Sequence, residues 1–491
     1  AYFVHDEFPD VDTDKVIRMC LIHDLGEAFT GDIPTFRKTQ ADEDREAAML
    51  SGCGLKLFKA ADELYARPQL PEEYQQLERT IDLVMERQDV DYAAPISGSN
   101  ASAVQLLDLD EDGECEMAVA FFRANASDDP QPLKIIMFRI GSDGNYNIAY
   151  TLEGEGNNIN SIEYEDLDGD GSREVVVSWQ LAARANVLSV YSLGPTGPRE
   201  LIHTTYNKSY VLGDLNEDGR RELILIQQGD SGDTPSWASY YTFREGVLTM
   251  TSGTPLSANI RDITAVRAGA LSGQKPAIYV TSSCDGGQVT DILTCREGEL
   301  ANVTLYAASG ISNDTLRTYT EVSPTDINGD GVLEIPLALP LPSASLSSEG
   351  VYWVIYWRQF DADGKASMVC MTYHCVTDGW YLVLPNDWDG KIAVERDDRL
   401  NYRGERAVTF YYRGEGDAAA APFLTILRLS GTEESVAAKA VLPGRRLLCW
   451  SGRNTAYAMI LSKDGWDCGL TEDQVAERFS LITTEWATGA T

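Results

Sequence analysis

No run of 18 apolar residues occurs anywhere in the 491-residue chain, so no segment is written to cross a bilayer as a helix. No Cys-X-X-Cys pair occurs among the nine cysteines, so neither a zinc ribbon nor a thioredoxin-like site is encoded. Positive charge is scarce as well. Lys and Arg number 40 against 76 Asp and Glu, a formal net charge of −36. Nucleic-acid phosphates require Lys and Arg, so this balance argues against a nucleic-acid partner and suits a protein that binds cations. What remains is ample: 43% hydrophobic residues and 24% charged, in a chain long enough for two or more domains. Most cysteines read as small hydrophobes in strands. Cys284/Cys295 and Cys370/Cys375 are near enough in sequence to bridge, and their pairing stays open. The chain opens at Ala1 with no visible signal peptide and reads as a fragment of a longer product.

Four segments share one grammar. They are Asp108-Leu-Asp110-Glu-Asp112-Gly113-Glu-Cys-Glu116, Asp166-Leu-Asp168-Gly-Asp170-Gly171-Ser-Arg-Glu174, Asp214-Leu-Asn216-Glu-Asp218-Gly219-Arg-Arg-Glu222 and Asp326-Ile-Asn328-Gly-Asp330-Gly331-Val-Leu-Glu334. Oxygen ligands at positions one, three and five converge when the backbone turns sharply. Glycine at position six permits the turn, and the carboxylate at position nine closes the cage. Hard oxygen donors in this number suit Ca²⁺.

An EF-hand fails on two counts, because it needs a bidentate Glu at position twelve and a following helix. Position twelve is Val119, Val177, Leu225 and Leu337. Each loop is instead followed by a short apolar run, such as Val175-Val-Val-Ser-Trp179 or Leu223-Ile-Leu-Ile226, which reads as a buried strand.

The first positions lie 58, 48 and 112 residues apart. The last gap is twice a repeat, so one repeat is hidden in it. Ala270-Leu-Ser272-Gly273 followed by Ala277-Ile-Tyr-Val280 is the candidate, a repeat without metal ligands. Each repeat has room for three further strands; Lys134–Arg139 and Ile148–Thr151 supply two of them in the first. Four strands per roughly 50 residues is a propeller blade. Arg406–Tyr412 and Ala456–Leu461 look like equivalent strands in later blades. The reading is a mainly β chain with about seven blades, with six or eight also open, and a short helical N-terminal region. Asp361-Ala-Asp363-Gly364 and Asp387-Trp-Asp389-Gly390 lack the nine-residue grammar and read as ordinary turns.

These loops resemble the calcium loops of FG-GAP or VCBS-type repeats, found in the integrin α-subunit propeller and in bacterial surface proteins. The resemblance covers residues 97–491. It implies structural Ca²⁺ in the four loops and an unknown protein or glycan ligand on a propeller face.

Ahead of it, residues 49–96 hold a lipobox-like tether and an amphipathic helix. The helix is expected from Leu70 to about Gln88, with Pro71, Glu72 and Glu73 at its start and Tyr74, Leu77, Ile81 and Val84 on one face. Leu50-Ser51-Gly52-Cys53 resembles a bacterial lipobox, which would make Cys53 a lipidation site and a membrane anchor in the parent protein. The acidic segment Ala41–Glu46 before it cannot serve as a signal n-region. The order implies an extracytoplasmic cell-surface lipoprotein of Gram-positive bacteria.

Residues 1–48 differ. An amphipathic helix, Asp14–Asp24, ends in a His23-Asp24 doublet, followed by Leu25-Gly-Glu27-Ala-Phe-Thr-Gly31-Asp32-Ile33-Pro34. This resembles the HD-domain phosphohydrolases, especially the 5′-deoxynucleotidase branch, which is cytoplasmic. The resemblance implies that His23 and Asp24 hold a divalent transition metal if the site is complete, with Glu27 and Asp32 in the catalytic positions. His5 is too close to His23 for the usual upstream ligand, and Asp62 follows Asp24 too soon for the usual last one. No hydrolase activity is expected from residues 1–48 alone. The junction near residues 48–49 reads as a mosaic, either a true fusion or a gene-model error.

Two functions follow. The favoured one is a non-enzymatic extracellular propeller for adhesion or ligand binding. The other is a metal-dependent phosphohydrolase. Beyond residue 49 only His203 and His374 occur, and neither has a nucleophile context in the sequence.

Overall fold

The computed structural model describes residues 72–109, 117–126, 128–141, 144–230, 234–344, 351–399, 401–414, 420–462 and 466–482. The chain divides into two compact units, Ala1–Arg79 and Thr80–Thr491. Helix α1 (Glu72–Gln88) carries acidic residues at its start and Arg87 in its last turn, as the helix dipole favours. Its residues Leu77, Ile81 and Val84 are buried on one face, as their spacing requires.

From Val90 onward the regular secondary structure of the described chain is mostly strand. Sheet I comprises β1 (Val90–Tyr92), β2 (Val104–Leu107), β3 (Met117–Ala124), β4 (Leu133–Ile140) and β5 (Tyr146–Gly154). It therefore begins at Val90, before the boundary at Ser97 drawn from the sequence. Sheet II is the meander β6 (Asn158–Glu165), β7 (Glu174–Ala182), β8 (Ala185–Gly194) and β9 (Gly197–Tyr206). Sheet III repeats it with β10 (Ser209–Gly213), β11 (Glu222–Gln227), β12 (Trp237–Arg244) and β13 (Val247–Pro255). Sheet IV repeats it again with β14 (Ile260–Leu271), β15 (Lys275–Cys284), β16 (Gly287–Arg296) and β17 (Glu299–Asn302). This is the hidden repeat, with Ser272 and Gly273 in its first turn.

Sheet V holds β18 (Ile335–Leu341), β19 (Tyr352–Phe360), β20 (Ala366–Cys375) and β21 (Trp380–Leu384), and the late strand β27 (Phe479–Leu481) returns to pair with β21. Sheet VI holds β22 (Ile392–Asp397), β23 (Glu405–Tyr412), β24 (Ala421–Ser430), β25 (Arg446–Trp450) and β26 (Thr455–Leu461). Here the structure corrects the sequence reading. Arg406–Tyr412 and Ala456–Leu461 do not belong to separate repeats. They lie in β23 and β26, on either side of β24 in one sheet. A short helix, α2 (Glu433–Ala440), separates the strands in sequence and hides their pairing.

Six antiparallel sheets are thus present among the described residues. Each of the four-stranded meanders is built as a propeller blade is.

The cores explain why the post-loop strands are unbroken apolar runs. Val175 and Val177 join a cluster with Val119, Phe121, Ile135 and Met137 of sheet I. Val176, between them, packs with Leu223 and Leu225 of sheet III. Ile224 and Ile226 in turn face Ile278 and Val280 of sheet IV. Ile335 and Phe360 of sheet V meet Leu271 and Tyr279, and Tyr373 and Leu382 meet Val394 and Phe410 of sheet VI. A strand sandwiched between two neighbours must be apolar at every position, since alternate side chains point to opposite faces. The packing is tight: a Cβ at Gly154 would lie 2.2 Å from the Trp179 ring.

Candidate metal sites in the strand-connecting loops

The loop of sheet II joins β6 to β7, and that of sheet III joins β10 to β11. Each springs from a paired position: Glu165 with Glu174, and Gly213 with Glu222. The loop before sheet V springs from the isolated bridge Thr325–Glu334, the stub of a first strand. The register is identical in all three. The closing glutamate is the first residue of the second strand in sheets II and III and directly precedes β18 in sheet V. This places a carboxylate at the base of each loop, where Glu174, Glu222 and Glu334 are 1%, 3% and 0% exposed.

The loop backbone is held by its own acids. In the second loop, Asp166 accepts from the N–H groups of Gly169 (2.7 Å) and Gly171 (3.0 Å), and Glu174 accepts from that of Leu167 (2.8 Å). Asp214 accepts from the N–H groups of Asp218 and Gly219, and Glu222 from that of Leu215. Asp326 accepts from those of Gly329, Asp330 and Gly331, and Glu334 from that of Ile327. Position six is left-handed each time, with φ of +88° at Gly171, +88° at Gly219 and +84° at Gly331, which is why glycine stands there. Position four is left-handed too, at Gly169, Glu217 and Gly329. The sequence reading had not singled out that position.

Three acidic clusters result, each with its ligand oxygens within 4.8 Å of one another: Asp166, Asp168 and Glu174; Asp214, Asp218 and Glu222; Asp326, Asp330 and Glu334. Asn216 and Asn328 take position three in the last two loops. Asp170 is not in its loop's cluster and accepts from the Ser172 N–H instead. Of the first loop, only Asp108 among its expected ligands is described; Asp110, Asp112 and Glu116 lie outside the described residues. So do His23, Asp24, Glu27, Asp32, Cys53 and Asp62.

Burial pushes the Glu174 carboxyl up to about 7, with Asp168 and Asp166 adding to the shift. Glu222 and Glu334 are raised for the same reason, and so is Asp168. Burial also acts on Asp330, but hydrogen bonds from Asn328, the Val332 N–H and Gln359 outweigh it and hold that carboxyl low. Thr242 stands across from Glu222, one residue beyond the Leu223–Tyr241 pair, and its buried Oγ1 has no hydrogen-bond partner among the described residues. Crowded, partly desolvated carboxylates and neutral oxygens fit a hard divalent cation, which would reverse the penalty that burial places on their charge.

Each loop also leans on the preceding sheet. The Arg173 N–H donates to the Leu109 carbonyl (3.1 Å), and its Nη1 to that of Asp108 (3.3 Å). Arg221 pairs with Glu165 at 3.2 Å. Gln274, in the first turn of sheet IV, donates to the Asp330 carbonyl at 2.8 Å.

The other flagged residues resolve differently. Asp361–Gly364 is the hairpin turn between β19 and β20, and Asn386–Trp388 is a single 3₁₀ turn. The six described cysteines, Cys284, Cys295, Cys370, Cys375, Cys449 and Cys468, are free. Cys284 sits beside the β15–β16 turn and Cys295 pairs at the far end of β16, so they cannot bridge. Cys370 and Cys375 lie five residues apart on one strand, on opposite faces. His203 does have a serine beside it, which the sequence did not reveal: Ser189 Oγ lies 3.1 Å from Nδ1, and Glu200 lies 3.0 Å from the same nitrogen. A relay needs both ring nitrogens and an accessible hydroxyl, and Ser189 is fully buried. His374 is buried beside Trp357 and Tyr381, and burial lowers its pKa to about 3.

The HD domain family matches residues 1–91, so this part of the chain is similar to that family. The match runs through the Leu50–Cys53 motif and helix α1. No curated protein matches the chain. Among solved structures, the chain is similar to the polysaccharide lyase Uly1, at 10% identity over 76% of this chain and 93% of that one, with a TM-score of 0.31. It is also similar to the rhamnogalacturonan lyase PL11 of Bacillus licheniformis, at 14% identity over 61% of this chain and 58% of that one, with a TM-score of 0.28. A third is the Dos1 propeller, at 9% identity over 72% and 77%, with a TM-score of 0.28. The chain thus spans little more than half of the rhamnogalacturonan lyase. Scores at this level do not establish a common fold, and the sheet architecture rests on the strand pairing described above.

Proposed function

We propose that the region from Val90 onward is a non-enzymatic, extracytoplasmic β-propeller of the FG-GAP/VCBS type, stabilised by Ca²⁺ and used for adhesion or ligand binding. One observation carries this reading: three acidic clusters recur at the same register of three sheets, each beneath a left-handed glycine. Asp166, Asp168 and Glu174 would hold one ion, Asp214, Asn216, Asp218 and Glu222 a second, and Asp326, Asn328, Asp330 and Glu334 a third. Asp108, Asp110, Asp112 and Glu116 share the motif. The cation would supply structural bracing of the loops. Binding would then fall to a protein or glycan on another face, and a lipid on Cys53 would anchor the parent protein.

The test is calorimetric titration of the EDTA-treated chain with Ca²⁺, followed by melting in EDTA and in excess Ca²⁺. At a hundredfold excess over Kd each site adds about 2.7 kcal/mol. Three or four bound ions and a higher Tm are expected. Superimposed melts, with no bound calcium by elemental analysis, would refute the proposal.

The HD match over residues 1–91 favours a second reading for that segment, a metal-dependent phosphohydrolase acting through His23, Asp24, Glu27 and Asp32. Release of phosphate from deoxynucleoside monophosphates with Mn²⁺ or Co²⁺, abolished in His23→Ala, would establish it. Absence of turnover with either metal would dismiss it.

A further inference from the structure

The three described loops have the same acids but not the same neighbours. In the second loop, among the described residues, the oxygens of Asp166 and Glu174 accept only from backbone N–H groups of the loop itself, while the Arg220 side chain packs against Gly169 and the charge of Arg199 acts on Asp168. In the third, Asn216 turns its Nδ2 inward and donates to Asp218 (3.1 Å) and Glu222 (2.8 Å). In the loop before sheet V, Asn328 Nδ2 likewise donates to Asp330 (2.9 Å), and a further donor comes from outside. Gln359 of β19 lies one residue past Arg358, the partner of Ile335. Its Nε2 donates to Asp330 Oδ2 at 2.7 Å and to Glu334 Oε1 at 2.8 Å. Both partners are carboxylate oxygens, which can only accept, so the amide must present its NH₂ and not its carbonyl. That group sits between two members of the acidic cluster. In sheet III the position across from the closing glutamate is Thr242, whose short side chain makes no such bridge.

We propose that the Gln359 side chain is a built-in substitute for the cation, so that the 326–334 loop keeps its shape without metal while the 166–174 loop does not. The inference rests on the reading of these loops as cation sites. Asn216 is a weaker version of the device, because it is itself an expected ligand and must turn its carbonyl inward when a cation enters. The loops therefore rank in their dependence on metal: 166–174 first, 214–222 next, 326–334 last. The bridging amide also competes with the ion, so its removal strengthens calcium binding at that loop.

Hydrogen exchange of the full chain, read on peptides covering 166–174 and 326–334, tests this. EDTA is expected to speed exchange about tenfold or more in 166–174 and less than about twofold in 326–334. Gln359→Met should make 326–334 open about tenfold in EDTA and close again in Ca²⁺. Gln359→Glu, which adds a carboxylate, should show the same opening and a tighter recovery. A 326–334 loop that stays closed in both metal-free variants, or that opens in the unaltered chain as far as 166–174, would overturn the Gln359 role. Opening of the variants without recovery in Ca²⁺ would leave that role standing and overturn the cation reading of the loop.

Discussion

Sheets II and IV are the same four-stranded meander, yet their first connections differ. In sheet II the pair Glu165–Glu174 is joined by a loop rich in Asp and Gly. In sheet IV the pair Leu271–Lys275 is joined by Ser272, Gly273 and Gln274 alone, closed by the Gln274 N–H on the Leu271 carbonyl. A tight turn is therefore enough to build the sheet. The longer loop is surplus to the connection, which is why its acids point to a separate task. Sheet IV puts its polar groups elsewhere. Asp291, fully buried on β16, accepts from the Ser257 N–H and Oγ, from Ser312 Oγ at 2.6 Å and from Asn302 Nδ2 at 2.9 Å. One sheet gathers carboxylates at its rim. The other satisfies a single carboxylate inside with neutral donors.

The largest break of this comparison comes from Asp291→Ala. It strands several buried donors, each costing about 1–3 kcal/mol when left unmade, so a loss of at least about 3 kcal/mol is expected in urea melts, equal in EDTA and in Ca²⁺. A calcium-dependent loss would show that sheet IV is not metal-free. Next, replacing residues 166–173 by Ser-Gly-Gln should leave a folded chain that binds one calcium fewer by titration and loses about 2.7 kcal/mol of calcium stabilisation at a hundredfold excess. Unchanged stoichiometry would remove the second loop from the set of sites. The smallest effect is at Glu217, which holds φ +62° where the 166–174 and 326–334 loops have glycine. Relief of a left-handed side chain is worth about 1–2 kcal/mol, offset in part by the freedom glycine gains on unfolding. Glu217→Gly should thus stabilise by under about 1 kcal/mol in the same melts, and a net loss would mean that the Glu217 side chain supports the loop.

Much of this was legible in the sequence because the motif is local. Nine residues fix the turn, its glycine and the strand that follows, so Asp166–Glu174 and Asp214–Glu222 could be placed without any partner. The hidden repeat near Ala270 followed from spacing. What failed was non-local. Pairing of β24 with β26 across α2 leaves no short-range mark, and the expected separate blades at Arg406–Tyr412 and Ala456–Leu461 collapsed into one sheet. Gln359 lies 25 residues beyond Glu334 in sequence and is a neighbour only through the β18–β19 register. Ser189 beside His203 is likewise a product of hairpin pairing. Asp291 reads as a lone acid in an apolar strand until the four groups around it are known.

The alternation along Val175-Val176-Val177 makes the array unequally tolerant of length changes. Gain or loss of a whole meander among sheets I–IV would replace one largely aliphatic interface with another of similar kind. Loss of one residue within β7 is different. It would turn every following side chain to the opposite neighbour at once, and two cores would be damaged by a single codon.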